Sequence, residues 1–264
     1  MSPLTLTILG SSPAAPNPGG ACSGYLVREG DSAVLMDCGP GTAGRIPVYV
    51  APNRLHAVAI SHLHPDHYFD LVQLYYMLKF GERRPPDLPA RLPLFLPPTG
   101  REFMRQFGQL IADKPAMLED VFDVRDYAAD CEIDVGGLCF SFHSVQHYIP
   151  SHAMRVRSSI GAILTFSSDV APCPQLIEAA RDADLFMCES AMLEASQDEA
   201  DPAQRGHMSA AEAGVAALQA GAKRLLLTHC RSSAKYDAHH LEAAGRTFGG
   251  PVDLAREGQT YTIG

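Results

Sequence analysis

Positive charge is scarce in this chain. Its 264 residues hold 21 Lys and Arg against 30 Asp and Glu, a net charge of −9, and the pI is about 5.6. Binding to long nucleic acid through a broad basic footprint is therefore disfavoured. A small phosphorylated ligand stays open, because bound metal ions can supply local positive charge. Long apolar runs are also missing, and no segment approaches the length of a membrane-spanning helix. Residues 1–10 have neither a basic n-region nor a long apolar stretch, so no signal peptide is expected and the expected location is the cytoplasm. Short-period repeats, low-complexity tracts and an evident linker are absent. The seven cysteines are an odd number without zinc-finger spacing, and most sit in apolar context, which reads as reduced core thiols. Cys230 stands apart because it follows a candidate metal ligand. At 46% hydrophobic and 19% charged residues the composition is that of a soluble globular protein, read as one domain over residues 1–264.

Against these absences stands one dense cluster. Ser61-His62-Leu63-His64-Pro65-Asp66-His67 places four metal-capable side chains within six positions. Residues 56–60 before it are largely apolar and read as a buried strand. The cluster starts where that strand ends, which is where α/β folds place ligand sites. Imidazole and carboxylate together suit a divalent metal, zinc first; manganese or iron could occupy the same ligands. Further strands are expected at 4–9, 23–28, 33–37, 94–96, 138–147, 162–166, 184–188, 224–228 and 260–263. Helices are expected at 66–79, 99–112, 174–181, 209–220 and 238–247. The fourth opens with the capping box Ser209-Ala210-Ala211-Glu212 and closes at Gly221. Two strand-rich halves with intervening helices predict two sheets packed between helices.

If the cluster holds metal, more ligands should lie at other strand ends. His147, Asp169 and His229 each close an apolar run. One strand-end His or Asp often only caps a turn, but four such ends in one chain point to a site.

At this point the chain resembles the metallo-β-lactamase superfamily of dinuclear metallohydrolases, from Leu9-Gly10 to His229. The resemblance implies an α/β fold, the four-layer αββα sandwich, with the site at one edge of the two sheets. It implies that His62, His64 and His147 bind a first metal, that Asp66, His67 and His229 bind a second, and that Asp169 bridges them. His64 occupies the position where the flavodiiron oxidoreductases of this fold place a carboxylate, which favours zinc hydrolysis over iron redox chemistry. His147-Tyr148-Ile149-Pro150-Ser151, Ser167-Ser168-Asp169-Val170, Cys188-Glu189-Ser190 and Gly206-His207-Met208-Ser209-Ala210 look like the ribonuclease Z-type phosphodiesterase branch. That branch places a Glu and a His, matching Glu189 and His207, beside the metals. Its transfer-RNA-processing members carry a long arm between the positions of His147 and Asp169. Here about twenty residues separate them, too few for an arm plus two strands. The chain is therefore most similar to arm-less relatives such as the atypical cyclic-AMP phosphodiesterases. Relatives in this branch are often homodimers, so a homodimer is a further expectation.

The expected chemistry is hydrolysis of a small phosphodiester such as a cyclic nucleotide, with long RNA disfavoured and no membrane expected as a partner. Two zinc ions would share a hydroxide that attacks phosphorus, Asp66 would orient it, and His207, held by Glu189, would protonate the leaving oxygen. A ribonuclease Z-like endoribonuclease, a hydrolase of other esters, thioesters or sulfates, and a non-catalytic metal-binding protein are the alternatives. Ser151 and the Gly41-Thr42 turn are candidates for touching phosphate. Tyr75, Tyr76, Lys79, Arg83 and Arg84 are candidates for lining a base or phosphate pocket, although a Tyr/Leu stripe also reads as core. His143, His152, His239 and His240 are expected to lie outside the ligand set.

Overall fold

The computed structural model describes residues 2–198, 201 and 204–264. The first sheet is built from β1 (Leu4–Gly10), β2 (Gly24–Glu29), β3 (Ser32–Met36), β4 (Ala57–Ala59), β5 (Leu92–Leu96), β6 (Phe122–Asp126) and the last strand, β14 (Thr260–Ile263). The second holds β7 (Glu132–Val135), β8 (Leu138–Val145), β9 (Ser151–Arg157), β10 (Ile163–Phe166), β11 (Leu185–Glu189), β12 (Leu225–Thr228) and β13 (Val252–Leu254). The orders are β14-β1-β2-β3-β4-β5-β6 and β13-β12-β11-β10-β9-β8-β7. Each sheet has an antiparallel part and a parallel part. The parallel strands β4 and β12 are buried on both faces, which is why they read as continuous apolar runs.

Three cores hold the layers together. Between the sheets, Leu6, Ile8 and Tyr25 from one meet Phe140, Phe142 and Phe166 from the other. Outside the first sheet lie α1 (Pro65–Tyr68), α2 (Leu71–Phe80) and α3 (Gly100–Ala112), with Leu71, Leu74 and Met104 packed on its outer face. Outside the second lie α4 (Pro174–Ala179), α5 (Ala210–Ala220) and α6 (Ala234–Phe248). This is the expected αββα sandwich. No helix among the described residues is long and apolar enough to cross a membrane.

Several expected elements shift. The single helix expected at 66–79 is two, because Asp70 N–H donates to the Cys38 carbonyl and Cys38 N–H donates to the His67 carbonyl. These bonds tie the chain after the histidine cluster to the end of β3. Gly39 makes that approach possible, since a Cβ there would stand 1.9 Å from the Asp66 carbonyl oxygen. The strand expected to reach His147 stops at Val145, which leaves His147 in a loop. The last helix starts earlier, at Ala234, where the Ser233 hydroxyl accepts from Tyr236 N–H. Strands β6, β7 and β13 were not expected, and β9 was implied only as one of two strands between His147 and Asp169; each carries polar or charged residues that break the apolar run. The capping box of α5 is formed, and Gly221 caps it with φ +67°.

Candidate metal centre

All seven expected ligand residues meet at one edge of the sandwich: Asp66 and His67 in α1, and the other five on the segments that follow β4, β8, β10 and β12. They form two corners. In the first, His64 Nδ1 lies 3.1 Å from His62 Nε2 and 3.1 Å from His147 Nε2. In the second, Asp66 Oδ2 lies 3.4 Å from His67 Nε2 and 3.1 Å from His229 Nε2. Asp169 stands between them. Its Oδ2 faces His62 Nε2 at 3.7 Å and His147 Nε2 at 4.0 Å. Its Oδ1 faces His67 Nε2 at 3.3 Å and His229 Nδ1 at 3.5 Å. Two ligand atoms each about 2.1 Å from a tetrahedral zinc sit roughly 3.4 Å apart, so these spacings suit shared cations. Asp169 Oδ1, His67 Nε2 and His229 Nδ1 are buried and have no hydrogen-bond partner. Leaving such atoms unsatisfied is costly, and a cation satisfies all three together.

Residues behind the ligands aim them. His147 Nδ1–H donates to the Gly206 carbonyl at 2.6 Å, which turns Nε2 toward the centre. The hydroxyls of Ser61 and Ser168 stand 3.1 and 3.3 Å from His62 Nδ1. His67 Nδ1–H instead donates to the buried Asp37 carboxylate at 2.7 Å, and Asp37 also accepts from Ser61 N–H and Oγ–H. Three residues here adopt left-handed backbone: Asp37 (φ +56°), Ser168 (φ +58°) and His229 (φ +51°). Such conformations are uncommon for residues with a Cβ, and they cluster where a side chain must be aimed.

Burial lowers the basicity of His62, His64 and His147. His67 goes the other way. Burial alone would lower it, but the carboxylates of Asp169 and Asp37 outweigh that and raise it well above the usual range. For Asp66, burial is outweighed by contact with His229 and His67, which holds the carboxyl below its ordinary range.

Beside the corners, His207 Nδ1–H donates to Glu189 Oε1 at 2.8 Å. Burial opposes its protonation, but Glu189, with help from Asp169 and Asp198, raises it to about 9. Glu189 is fully buried. It also accepts from Val170 N–H and Ala191 N–H, so one carboxylate positions His207 and braces the Asp169 loop. The His207 ring touches those of His147 and His229, with centroids 5.0 and 5.9 Å away. A cleft of about 400 Å³ opens over His64, Asp66, Asp169, His207 and His229.

Residues 32–230 match the family described as the Beta-lactamase superfamily domain. The chain belongs to the β-lactamase superfamily. An uncharacterised protein of Mycobacterium leprae is 33% identical to it over 269 residues, covering 98% of this chain and 88% of that protein. Ribonuclease Z of Myxococcus xanthus is 28% identical over 310 aligned positions, covering 100% of this chain and 99% of the enzyme. The probable metallo-hydrolase YhfI of Bacillus subtilis is 29% identical over 255 residues, covering 97% of this chain and 98% of that protein. A crystal structure of YhfI, described as a metallo-β-lactamase fold protein, superposes with a TM-score of 0.83 over 100% of both chains at 27% identity. The sandwich above is that superfamily fold, and its His/Asp cluster is able to hold metal ions.

Other residues singled out in the sequence lie elsewhere in the superfamily fold. Ser151 does not reach the cleft: its buried hydroxyl bonds Ser168 Oγ and the Asp169 carbonyl, which supports the Asp169 loop from behind. The Gly41-Thr42 turn is likewise engaged, with Thr42 Oγ1 on the Gly39 carbonyl and Ala43 N–H on Asp70. Tyr75 and Lys79 bond Asp120, Tyr76 stacks on Phe80, and Arg84 binds the Asn53 and Pro89 carbonyls. Lys79, Arg83 and Arg84 line a separate surface groove. Cys230 faces a neighbouring cavity beside Asn17 and Ser232, and burial pushes its thiol up to about 12. His143 bonds Ser141, His239 bonds the Leu193 carbonyl, and His152 and His240 are buried outside the ligand groups. Asp37, Ser168, Tyr148 and Arg231 were missed as site residues. Asp37 closed an expected strand just as His229 did, so the same signal could have found it.

Proposed function

We propose that the chain is a dizinc phosphodiesterase acting on a small phosphodiester such as a cyclic nucleotide. The observation that carries this reading is Asp169, a buried carboxylate whose two oxygens face two different histidine corners. In this reading His62, His64 and His147 hold one ion, Asp66, His67 and His229 hold the other, and Asp169 joins them. When bound, the ions polarise the phosphoryl oxygens, offset the developing charge and provide hydroxide near neutral pH.

The protein supplies the rest. Asp66 would orient the attacking oxygen by accepting a hydrogen bond from it. Because Nδ1 of His207 is bonded to Glu189, Nε2 is the nitrogen free to hand a proton to the leaving oxygen. The pair suits a phosphodiester, whose alkoxide leaving group needs that proton. Small substrates are favoured over long RNA by β9 and β10, which take up the segment between His147 and Asp169 and leave only residues 158–162 to join them. The alignment with the Myxococcus enzyme spans 310 positions against 264 residues here, so that ribonuclease Z carries residues this chain lacks.

The test is hydrolysis of bis-p-nitrophenyl phosphate and cyclic AMP by metal-stripped and zinc-reloaded protein, with metal analysis alongside. Two equivalents of zinc should restore turnover, and His64→Ala and Asp66→Ala should abolish it. A fully loaded protein inert toward every phosphodiester tried would overturn the proposal.

A further inference from the structure

The cleft has one cation that the chemistry above does not use. Arg231 lies two residues after His229, lines the same cleft as His64, Asp66 and His229, and is exposed. Among the described residues it has no hydrogen-bond or ion-pair partner. Neighbouring arginines are committed: Arg205 to Glu212, Arg256 to Asp237 and Arg45 to Glu257. His207, the other cation at the cleft, is engaged by Glu189.

The backbone on both sides of Arg231 is fastened. Asn17 Nδ2 donates to the Cys230 carbonyl at 3.1 Å, and Ser232 N–H donates to Asn17 Oδ1 at 2.9 Å. Asn17 belongs to the loop whose Pro13, Ala14 and Ala15 form another part of the cleft wall. One asparagine thus locks that loop to the segment carrying Arg231. A guanidinium on a fixed backbone loses less freedom when it grips a ligand, and its fork matches phosphate oxygens.

Position and charge together leave Arg231 for a ligand. Two divalent ions would be set against Asp37, Asp66, Asp169 and a hydroxide, so the cage holds no surplus protein anion for Arg231 to pair with. His207 is balanced by Glu189. The charge on Arg231 is left over, at the exposed rim rather than inside the ligand cage.

We infer that Arg231 binds an anionic group of the substrate outside the cage, so that the substrate is a phosphodiester carrying a second phosphate, as dinucleotides and phosphorylated nucleotides do. This rests on the phosphodiesterase reading. The Tyr148 ring adds a flat face for a base beside His207: it is 53% exposed, and its hydroxyl donates to Asp198 at 2.6 Å.

Calorimetry on the zinc-loaded protein tests this with two probes, adenosine 5′-monophosphate and adenosine 3′,5′-bisphosphate. The bisphosphate should bind about 10-fold tighter, as one added charge-assisted contact gives. Arg231→Gln should erase that preference while keeping affinity for the monophosphate, and Arg231→Lys should restore part of it. An unchanged melting temperature and zinc content establish that the variants are folded. Equal weakening of both ligands in Arg231→Gln would place Arg231 on the metal-bound phosphate and overturn the inference, as would a wild-type protein with no preference. Turnover of bis-p-nitrophenyl phosphate by the wild type separates the two levels. If it fails, the phosphodiesterase reading falls; if it succeeds without a bisphosphate preference, only the role of Arg231 falls.

Discussion

The two corners of the centre are built from different materials. The corner of His62, His64 and His147 is backed by neutral groups: the Ser61 and Ser168 hydroxyls and the Gly206 carbonyl. The corner of His67 and His229 has Asp66 within it and Asp37 behind it, both ionisable and both buried. Burial pushes the first set of imidazoles toward the neutral form, whereas carboxylates pull His67 toward the charged form. The acidic corner therefore offers the stronger field for a cation, and the histidine corner offers lone pairs already free of protons. A centre made this way should hold its two ions unequally.

The largest test removes the residue common to both corners. Asp169→Asn should release both ions and lower kcat/KM by roughly 10³-fold or more, about 4 kcal/mol of transition-state stabilisation. Zinc content and turnover should fall together. Loss of only one equivalent would show that the corners are independent. Next comes His207→Ala, whose ring touches both corners without being a ligand in the proposed set. It should keep both ions yet slow alkoxide-leaving substrates by about 10²- to 10⁴-fold. Esters of p-nitrophenol, which leave without a proton, should hardly change. A uniform loss across leaving groups would mean that His207 acts on the centre itself.

Outer-partner variants sharpen the contrast directly. Asp37→Asn should weaken metal affinity by about 10- to 100-fold. Ser168→Ala should cost less, because it removes one of two hydroxyls near His62. Competition against a chelator would read both, and equal effects would erase the distinction between the corners. Stability is read separately by Gly39→Ala: its Cβ would stand 1.9 Å from the Asp66 carbonyl oxygen and 2.9 Å from the Cys22 Cβ, so backbone must shift and the melting temperature should fall clearly.

The cluster was legible in the sequence because its residues follow a local rule. Four of them fall within six positions after one apolar run, and His147, Asp169 and His229 each follow another; the structure brings all seven together. The sandwich was legible for a similar reason, since strands β3, β11 and β12 are apolar except for one end residue each. Edge and polar strands such as β6 and β7 were not, because charged residues interrupt them and their pairing is decided by neighbours far along the chain. The same holds for outer partners. Ser168 meets His62 across 106 positions, and Asn17 meets Ser232 across 215. Residues chosen by such distant contacts leave no periodic trace. Ser151 misled for a related reason: a serine beside a strand-end histidine reads the same whether its hydroxyl faces the cleft or the loop behind it.

The left-handed backbone at Asp37, Ser168 and His229 carries a consequence for engineering. Each position holds the chain in a conformation that costs on the order of 1 kcal/mol or more for a residue with a Cβ, and that glycine adopts freely. Libraries selected for heat tolerance alone would drift toward glycine or asparagine at His229, exchanging a ligand for relief of strain. Selection for turnover would drive the same position back. A survey of robust variants screened without an activity assay would therefore mark the centre by the sites that relax first.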